Sequence, residues 1–228
     1  MKRLYLVPVR DACNSNCSFC YMKEKKIDVS IPQYMDFDKL EEIIEEIQDE
    51  INEVEITGGG EPLIHKEIGR IIELFKAKKI YTKMYTNGFL LKEIPLVDEI
   101  NLSRVHWDSQ INNRFYHSSQ QNDLEAVLKH YQKFAKKIRM QTILLKGAID
   151  SADKALEFIE RYEDLVDVFM FRTLFPECDL EKEHFVPYFD LNHPKVKMDQ
   201  TLDAYEGELF FLDTSHKLRK EFYFGVKR

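Results

Sequence analysis

The chain has 228 residues, 44% hydrophobic and 32% charged, with 8 Gly and 7 Pro, a composition that excludes a disordered, collagenous or low-complexity protein. Its 40 acidic and 33 basic residues leave a net charge of −7, which argues against a broad nucleic-acid or anionic-membrane surface. No apolar run approaches the roughly 20 residues that span a bilayer, and Leu4 to Val9, interrupted by Pro8 and closed by Arg10 and Asp11, is too short for a secretory signal, so a cytoplasmic protein is expected.

Leu4 to Val9 reads as a first strand, and Cys13, Cys17 and Cys20 follow it at the spacing C-x3-C-x2-C. Cysteines this close would mostly form strained small loops as disulfides, so metal binding is the better reading. A helix is expected near Asp38 to Ile51, where Leu40, Ile43, Ile44, Ile47 and Ile51 share one stripe. Glu53 to Thr57 is the second strand, ending in Gly58-Gly59-Gly60-Glu61-Pro62. Ile68, Ile71, Ile72 and Phe75 mark a second helix, and Ile80 to Thr86 a third strand that closes at Asn87-Gly88. The alternation continues with strands Ile100 to His106, Ile138 to Leu145 and Val166 to Arg172, and with helices Leu124 to Ala135 and Ala155 to Tyr162. Strands and helices in this order predict an α/β fold with a parallel sheet and right-handed crossovers. Six such units suggest a partial (β/α)6 TIM-like barrel, with a doubly wound open sheet as the competing architecture. Residues 1–175 are expected to form that barrel and 176–228 an extension. Within the extension, Pro176 to Pro194 reads as a lid, and Val196 to Leu202, Glu208 to Leu212 and Glu221 to Phe224 as a short antiparallel meander turning at Gly207.

In parallel α/β sheets, ligands bind at the carboxyl ends of the strands. The cysteine loop, the Gly58 to Pro62 loop and Thr86-Asn87-Gly88 all belong to that edge. Iron-sulfur clusters normally take four thiolates, so three on one loop leave one iron open to a reacting ligand. Glycines beside it let backbone approach a ligand, and Glu61 adds an acceptor for a cationic amine.

At these residues the sequence resembles the radical S-adenosylmethionine (radical SAM) superfamily, over roughly residues 1–175. The resemblance implies that Cys13, Cys17 and Cys20 hold a 4Fe-4S cluster whose fourth iron takes the amino and carboxylate groups of S-adenosyl-L-methionine. It implies that Gly59, Gly60 and Glu61 receive the amino group, that Phe19 and Tyr21 lie near the adenine, and that Asn87 belongs to the same cofactor site. A 5′-deoxyadenosyl radical would then abstract hydrogen from a small-molecule substrate of the nucleotide or sugar kind, after electron delivery by a reductant such as flavodoxin or ferredoxin.

Asn101-Leu102-Ser103 and Met140-Gln141-Thr142 look most like the branch containing the GTP-cyclising enzyme of molybdenum-cofactor synthesis. Ser103 and Gln141 are therefore candidates for the methionine carboxylate or ribose, and Arg172 for a carboxylate or phosphate. The chain departs from that branch in having Cys178 as its only cysteine beyond Cys20, so one cluster is expected. Blander readings stand beside these. The cysteines could form a zinc site completed by Cys178 or His65, Ser103 and Gln141 could be satisfied core polar groups, and Arg172 an ion-pair partner. His106-Trp107-Asp108 is a further run at substrate height. The functional alternatives are a glycyl-radical activase acting on a partner protein and a noncatalytic metal-binding module.

Overall fold

In the computed structural model, residues 2–20, 33–173, 186–187, 189–199 and 208–219 are described. The sheet is built from β1 (Lys2–Leu6), β2 (Glu53–Ile56), β3 (Tyr81–Thr86), β4 (Glu99–Ser103), β5 (Ile138–Ile143), β6 (Val168–Arg172), β7 (Val196–Asp199) and β8 (Glu208–Leu212). All are parallel in the order β7-β6-β5-β4-β3-β2-β1-β8, an open 8-stranded sheet in which the first six strands run consecutively. Among the described residues there are five α-helices: α1 (Phe37–Ile47), α2 (Ile68–Ala77), α4 (Leu124–Tyr131) and α5 (Ala152–Tyr162) pack into the core of the sheet, and α3 (Ser109–Tyr116) packs in a separate cluster with Phe89, Val105, Leu145 and Ala148.

The expected antiparallel extension is corrected at its two described strands. Val196–Asp199 adds to β6 and Glu208–Leu212 adds to β1, each in parallel, so the tail lengthens the sheet at opposite edges. The antiparallel element among the described residues of this region is a single bridge between Phe211 and Arg219. Gly207 and the proposed strand Glu221 to Phe224 lie outside the described residues, as does most of the Pro176 to Pro194 segment.

Capping places the helices. Asp36 accepts hydrogen bonds from the Asp38 and Lys39 amides at the start of α1, Asp123 from Ala126 at α4, and Ser151 from Lys154 at α5. Helix α3 was not expected from periodicity. It begins at Asp108, whose carboxylate accepts from the Gln110 and Ile111 amides, and it ends at His117 in the left-handed conformation. The fourth strand accordingly stops at Ser103 rather than His106.

Successive strand residues point to opposite faces of the sheet. Leu4, Leu6, Val54, Ile56, Met84, Ile100, Leu102, Ile138, Met140, Phe169 and Phe171 form the apolar core with Leu40, Ile44, Ile71, Phe75, Leu128 and Phe158 of the helices. The alternate residues of β1 to β5 are largely polar, and those at the centre are charged and mutually paired. Arg3 pairs with Glu53 and, at 3.0 Å, with Glu55; Lys83 Nζ donates to Glu53 at 2.9 Å and Glu55 at 3.4 Å; Arg139 Nε lies 3.1 Å from Glu99. The Tyr85 hydroxyl donates to Glu55 at 2.9 Å and the Asn101 amide to Glu99 at 3.1 Å. Glu53, Glu55, Lys83 and Glu99 are all buried, so this ladder fills the inner face with compensated charge below the strand ends.

Candidate active site

The three cysteines lie on the loop that leaves β1, and the loop is braced from three sides. Asp11 N donates to Gly59 O at 3.0 Å and Glu61 N to Ala12 O at 2.9 Å, so the cysteine loop and the glycine loop are sewn together through their backbones. A Cβ on Gly60 would overlap the Ala12 carbonyl oxygen. Glycine is thus required there by the approach of one loop to the other.

The second brace is α3. The amides of Asn16 and Ser18 donate to the carbonyls of Tyr116 and Phe115 at 2.9 and 2.8 Å, using oxygens that the end of a helix leaves unpaired. Phe19 packs edge-on against Tyr116 at 5.2 Å between ring centroids, Tyr116 in turn meets Phe89, and Cys17 joins the same apolar cluster. The Ser118 hydroxyl donates to Asn14 O at 3.1 Å.

The third brace is Asn87 at the end of β3. Its Nδ2 donates to Asn14 Oδ1 at 2.7 Å and lies 3.4 Å from Ser15 Oγ and 3.7 Å from Cys13 Sγ. Ser15 Oγ sits 3.3 Å from Cys13 Sγ and 3.4 Å from Cys17 Sγ, so one hydroxyl bridges two sulfurs. Sequence alone assigns no role to Ser15; its position between Cys13 and Cys17 is the available signal. All three thiols are free. Burial raises the pKa of Cys13 and pushes the Cys17 thiol up to about 12; Ser15 opposes the rise at both, while Glu61 and Cys20 add to it at Cys13, and Cys20 and Cys13 add to it at Cys17. Such thiols ionise when a cation supplies the missing compensation.

Glu61 is 2% exposed, and its carboxylate accepts from Leu63 N at 3.2 Å, Thr86 Oγ1 at 2.9 Å and Asn87 N at 2.9 Å. Burial pushes its pKa up to about 7 against those three donors. Glu61 therefore ties the glycine loop to the end of β3 and fixes Asn87, the residue that reaches the cysteines.

The structure brings Cys13, Cys17, Cys20, Gly59, Gly60, Glu61 and Asn87 together. Ser103, the last residue of β4, is paired with Gln141 inside β5, both half-buried on the inner face. Arg172 is paired with Ile143 at the end of β6, and its charge is felt at Tyr5 across that face. Phe19 lies with its ring against α3, and Tyr21 lies outside the described residues, as does Cys178.

Two observations bear on metal binding. Among the described residues no group of three His, Cys, Asp or Glu side chains is arranged to hold a single ion. His65, weighed as a zinc ligand, has both ring nitrogens engaged, Nε2 with Met35 O at 2.8 Å and Nδ1 accepting from Glu67 N at 3.1 Å. A cubane asks for a different arrangement, one thiolate per iron, and the loop offers three free sulfurs on one short turn with hydroxyl and amide groups against them. The residues fit that group.

Residues 7–185 match the family described as the Radical SAM superfamily. A protein of Methanocaldococcus jannaschii provisionally named a glycyl-radical enzyme activating enzyme is 23% identical over 161 residues, 66% of this chain and 61% of that protein. A GTP 3′,8-cyclase of Helicobacter pylori is 29% identical over 163 residues, 68% of this chain and 50% of that enzyme. The chain thus spans between half and about three-fifths of the curated relatives it matches. In three dimensions it is similar to Streptococcus suis SuiB bound to S-adenosylmethionine, with a TM-score of 0.74 at 17% identity, covering 99% of this chain and 61% of that one. The same protein is also known bound to its precursor peptide SuiA, with a TM-score of 0.71 at 15% identity.

Proposed function

The chain belongs to the radical SAM superfamily, an enzyme family working with a 4Fe-4S cluster and S-adenosylmethionine, and from that premise we propose that it initiates radical chemistry on a small-molecule substrate from the Cys13 to Cys20 loop. When bound, the cluster and S-adenosylmethionine supply one-electron cleavage of a sulfonium and a carbon-centred radical for hydrogen abstraction. Cys13, Cys17 and Cys20 would hold the irons. The observation that carries the reading is the bracing of those three free thiols by Gly60, Asn87 and the end of α3.

The remaining residues take roles that their surroundings support. Ser15 Oγ and Asn87 Nδ2 direct polar hydrogens at the sulfurs, offsetting thiolate charge. Backbone groups of Gly59 and Gly60, with Glu61 beneath them, offer the amine its acceptors. Phe19, backed by Tyr116 and Phe89, closes the apolar side of the loop and keeps water from the reacting atoms. Ser103, Gln141 and Arg172 form the polar rim opposite and would orient the cofactor's carboxylate and ribose or an anionic part of the substrate.

Anaerobic reconstitution followed by dithionite and S-adenosylmethionine tests the proposal: cluster-loaded protein should release 5′-deoxyadenosine, and Cys17→Ala should lose the thiolate-to-iron absorption. Full iron loading without 5′-deoxyadenosine would sink it. A second reading, action on a partner polypeptide, is favoured by the relative named as a glycyl-radical enzyme activating enzyme. Deuterium transfer into 5′-deoxyadenosine from labelled nucleotides or sugars supports the first reading, and transfer only from a labelled polypeptide supports the second.

A further inference from the structure

Taken alone, α3 is a weak helix. Of its eight residues only Gln110 and Arg114 are good helix formers, and it falls short of the roughly 12–15 residues at which an isolated helix becomes even marginal in water. Its buried residues are Asn112, Phe115 and Tyr116, and the two aromatic rings join the satellite cluster of Phe89, Val105, Leu145 and Ala148 rather than the main core. Its two ends supply the rest of its support. At the start, the Asp108 carboxylate accepts from the Gln110 and Ile111 amides at 2.9 Å, and Asn112 Oδ1 accepts from Val105 N at 3.0 Å. At the finish, the carbonyls of Phe115 and Tyr116 accept from the amides of Ser18 and Asn16.

The cysteine loop has two differently held halves. Up to Ser15 it is tied to the glycine loop and to Asn87. Beyond Ser15, among the described residues, the hydrogen bonds that join Asn16 to Cys20 with the chain outside the loop all end on Phe115 and Tyr116. Cys17 and Phe19 also pack into the satellite cluster of α3. The half that carries Cys17 and Cys20 is thus held by a helix that the same half helps to hold.

We propose that α3 and the Asn16 to Cys20 half of the loop order together, as one cooperative unit, when a cluster binds. This rests on the reading of Cys13, Cys17 and Cys20 as its ligands. In that unit α3 is the adjustable side of the cradle, and the glycine loop with Asn87 is the fixed side. Such coupling is reciprocal: binding that orders α3 is weakened by whatever loosens α3. Because α3 rests on Phe89, Val105 and Leu145, just beyond β3, β4 and β5, it also joins the strand ends of the candidate cofactor site to two of the three cysteines.

Two measurements on the full chain, neither needing 5′-deoxyadenosine, test the unit. Hydrogen exchange read by mass spectrometry compares the anaerobically reconstituted protein with the same protein after iron removal. Amides of α3 should exchange about tenfold faster or more without the cluster, and those of α2, in the main core, should not change. The second measurement follows iron release to a chelator from variants at Asp108, at the opposite end of α3 from the loop. Asp108→Ala removes the cap and should speed release about fivefold. Asp108→Asn, which can still cap, should release at the native rate. So should Ser151→Ala, which removes the corresponding cap of α5. Equal protection of α3 in the two forms, or equal release rates in Asp108→Ala and Ser151→Ala, would overturn the proposal. A chain that takes up no iron overturns it together with the cluster reading, whereas full iron loading with α3 unaffected overturns the linkage alone.

Discussion

Replacing Glu61 by Gln should change how the stability of the cluster-free chain depends on pH. The carboxyl is raised from 4.5 to about 7 because burial disfavours its charge more than the Asn87, Thr86 and Leu63 donors favour it. Below pH 4.5 it is protonated in both folded and unfolded chains and contributes nothing. Between 4.5 and 7 the unfolded chain releases a proton that the folded chain retains, so stability falls as pH rises, and above 7 the loss is complete. That displacement corresponds to about 3 kcal/mol. Gln carries no such dependence. It does place an amino group against either Thr86 Oγ1 or the Asn87 amide, both donors to Glu61 at 2.9 Å, at a cost of about 1–3 kcal/mol that is the same at every pH. Urea unfolding of both proteins at pH 5 and pH 8 separates the two effects. The native chain should lose about 2–3 kcal/mol relative to Glu61→Gln on going to pH 8. A difference between the two proteins that stays constant across that range would refute the burial argument.

Three further outcomes follow from the same structure. Lys83→Met removes the cation that lies 2.9 Å from Glu53 and 3.4 Å from Glu55 and should cost about 3–5 kcal/mol, lowering the melting temperature by about 2–4 °C for each; a loss below about 1 kcal/mol would reduce the ladder to the worth of surface pairs. Gly60→Ala drives a methyl into the Ala12 carbonyl, and should destabilise by about 1–3 kcal/mol and lower the iron bound per chain after reconstitution, with normal loading counting against the sewn-loop account. Asn87→Asp exchanges an amide donor 3.7 Å from Cys13 Sγ for a negative charge, so the cluster's midpoint potential should fall in a redox titration followed by electron paramagnetic resonance; an unchanged potential would remove Asn87 from the cluster's surroundings.

Periodicity made β1 to β6 and four of the five helices readable, because their apolar residues repeat at the strand or helix period and meet in one core. Helix α3 escaped because Ser109-Gln110-Ile111-Asn112-Asn113-Arg114 offers a single apolar residue, and its cap at Asp108 was the one local signal. The placement of Glu208–Leu212 was beyond local reading, since its partner β1 lies at the other end of the chain; Val196–Asp199 pairs with the preceding strand β6, and its parallel sense was hidden because no helical periodicity marks the crossover between them. The glycines were legible as a loop, though not the reason for Gly60, which depends on where Ala12 comes to rest. The charged inner face was half visible in Glu53-Val54-Glu55-Ile56, but which cation meets which carboxylate depends on register. The cysteine spacing needed none of this, being chemistry written within one loop.

The ladder of Arg3, Glu53, Glu55, Lys83, Glu99 and Arg139 has a consequence for how the chain finds its sheet. Side chains alternate between faces, so a slip of one residue in any strand would carry its charges into the apolar layer and its Leu, Ile or Met into the ionic one. A slip of two would keep the faces but move each cation away from the carboxylates it now meets. Parallel strands form late and between distant segments, when wrong pairings are within easy reach. A sheet whose inner face were only apolar would tolerate the two-residue error. Here the buried charges act as a ratchet on alignment, setting the heights at which β1, β2 and β3 release their loops and so the level at which Cys13, Gly60 and Asn87 meet.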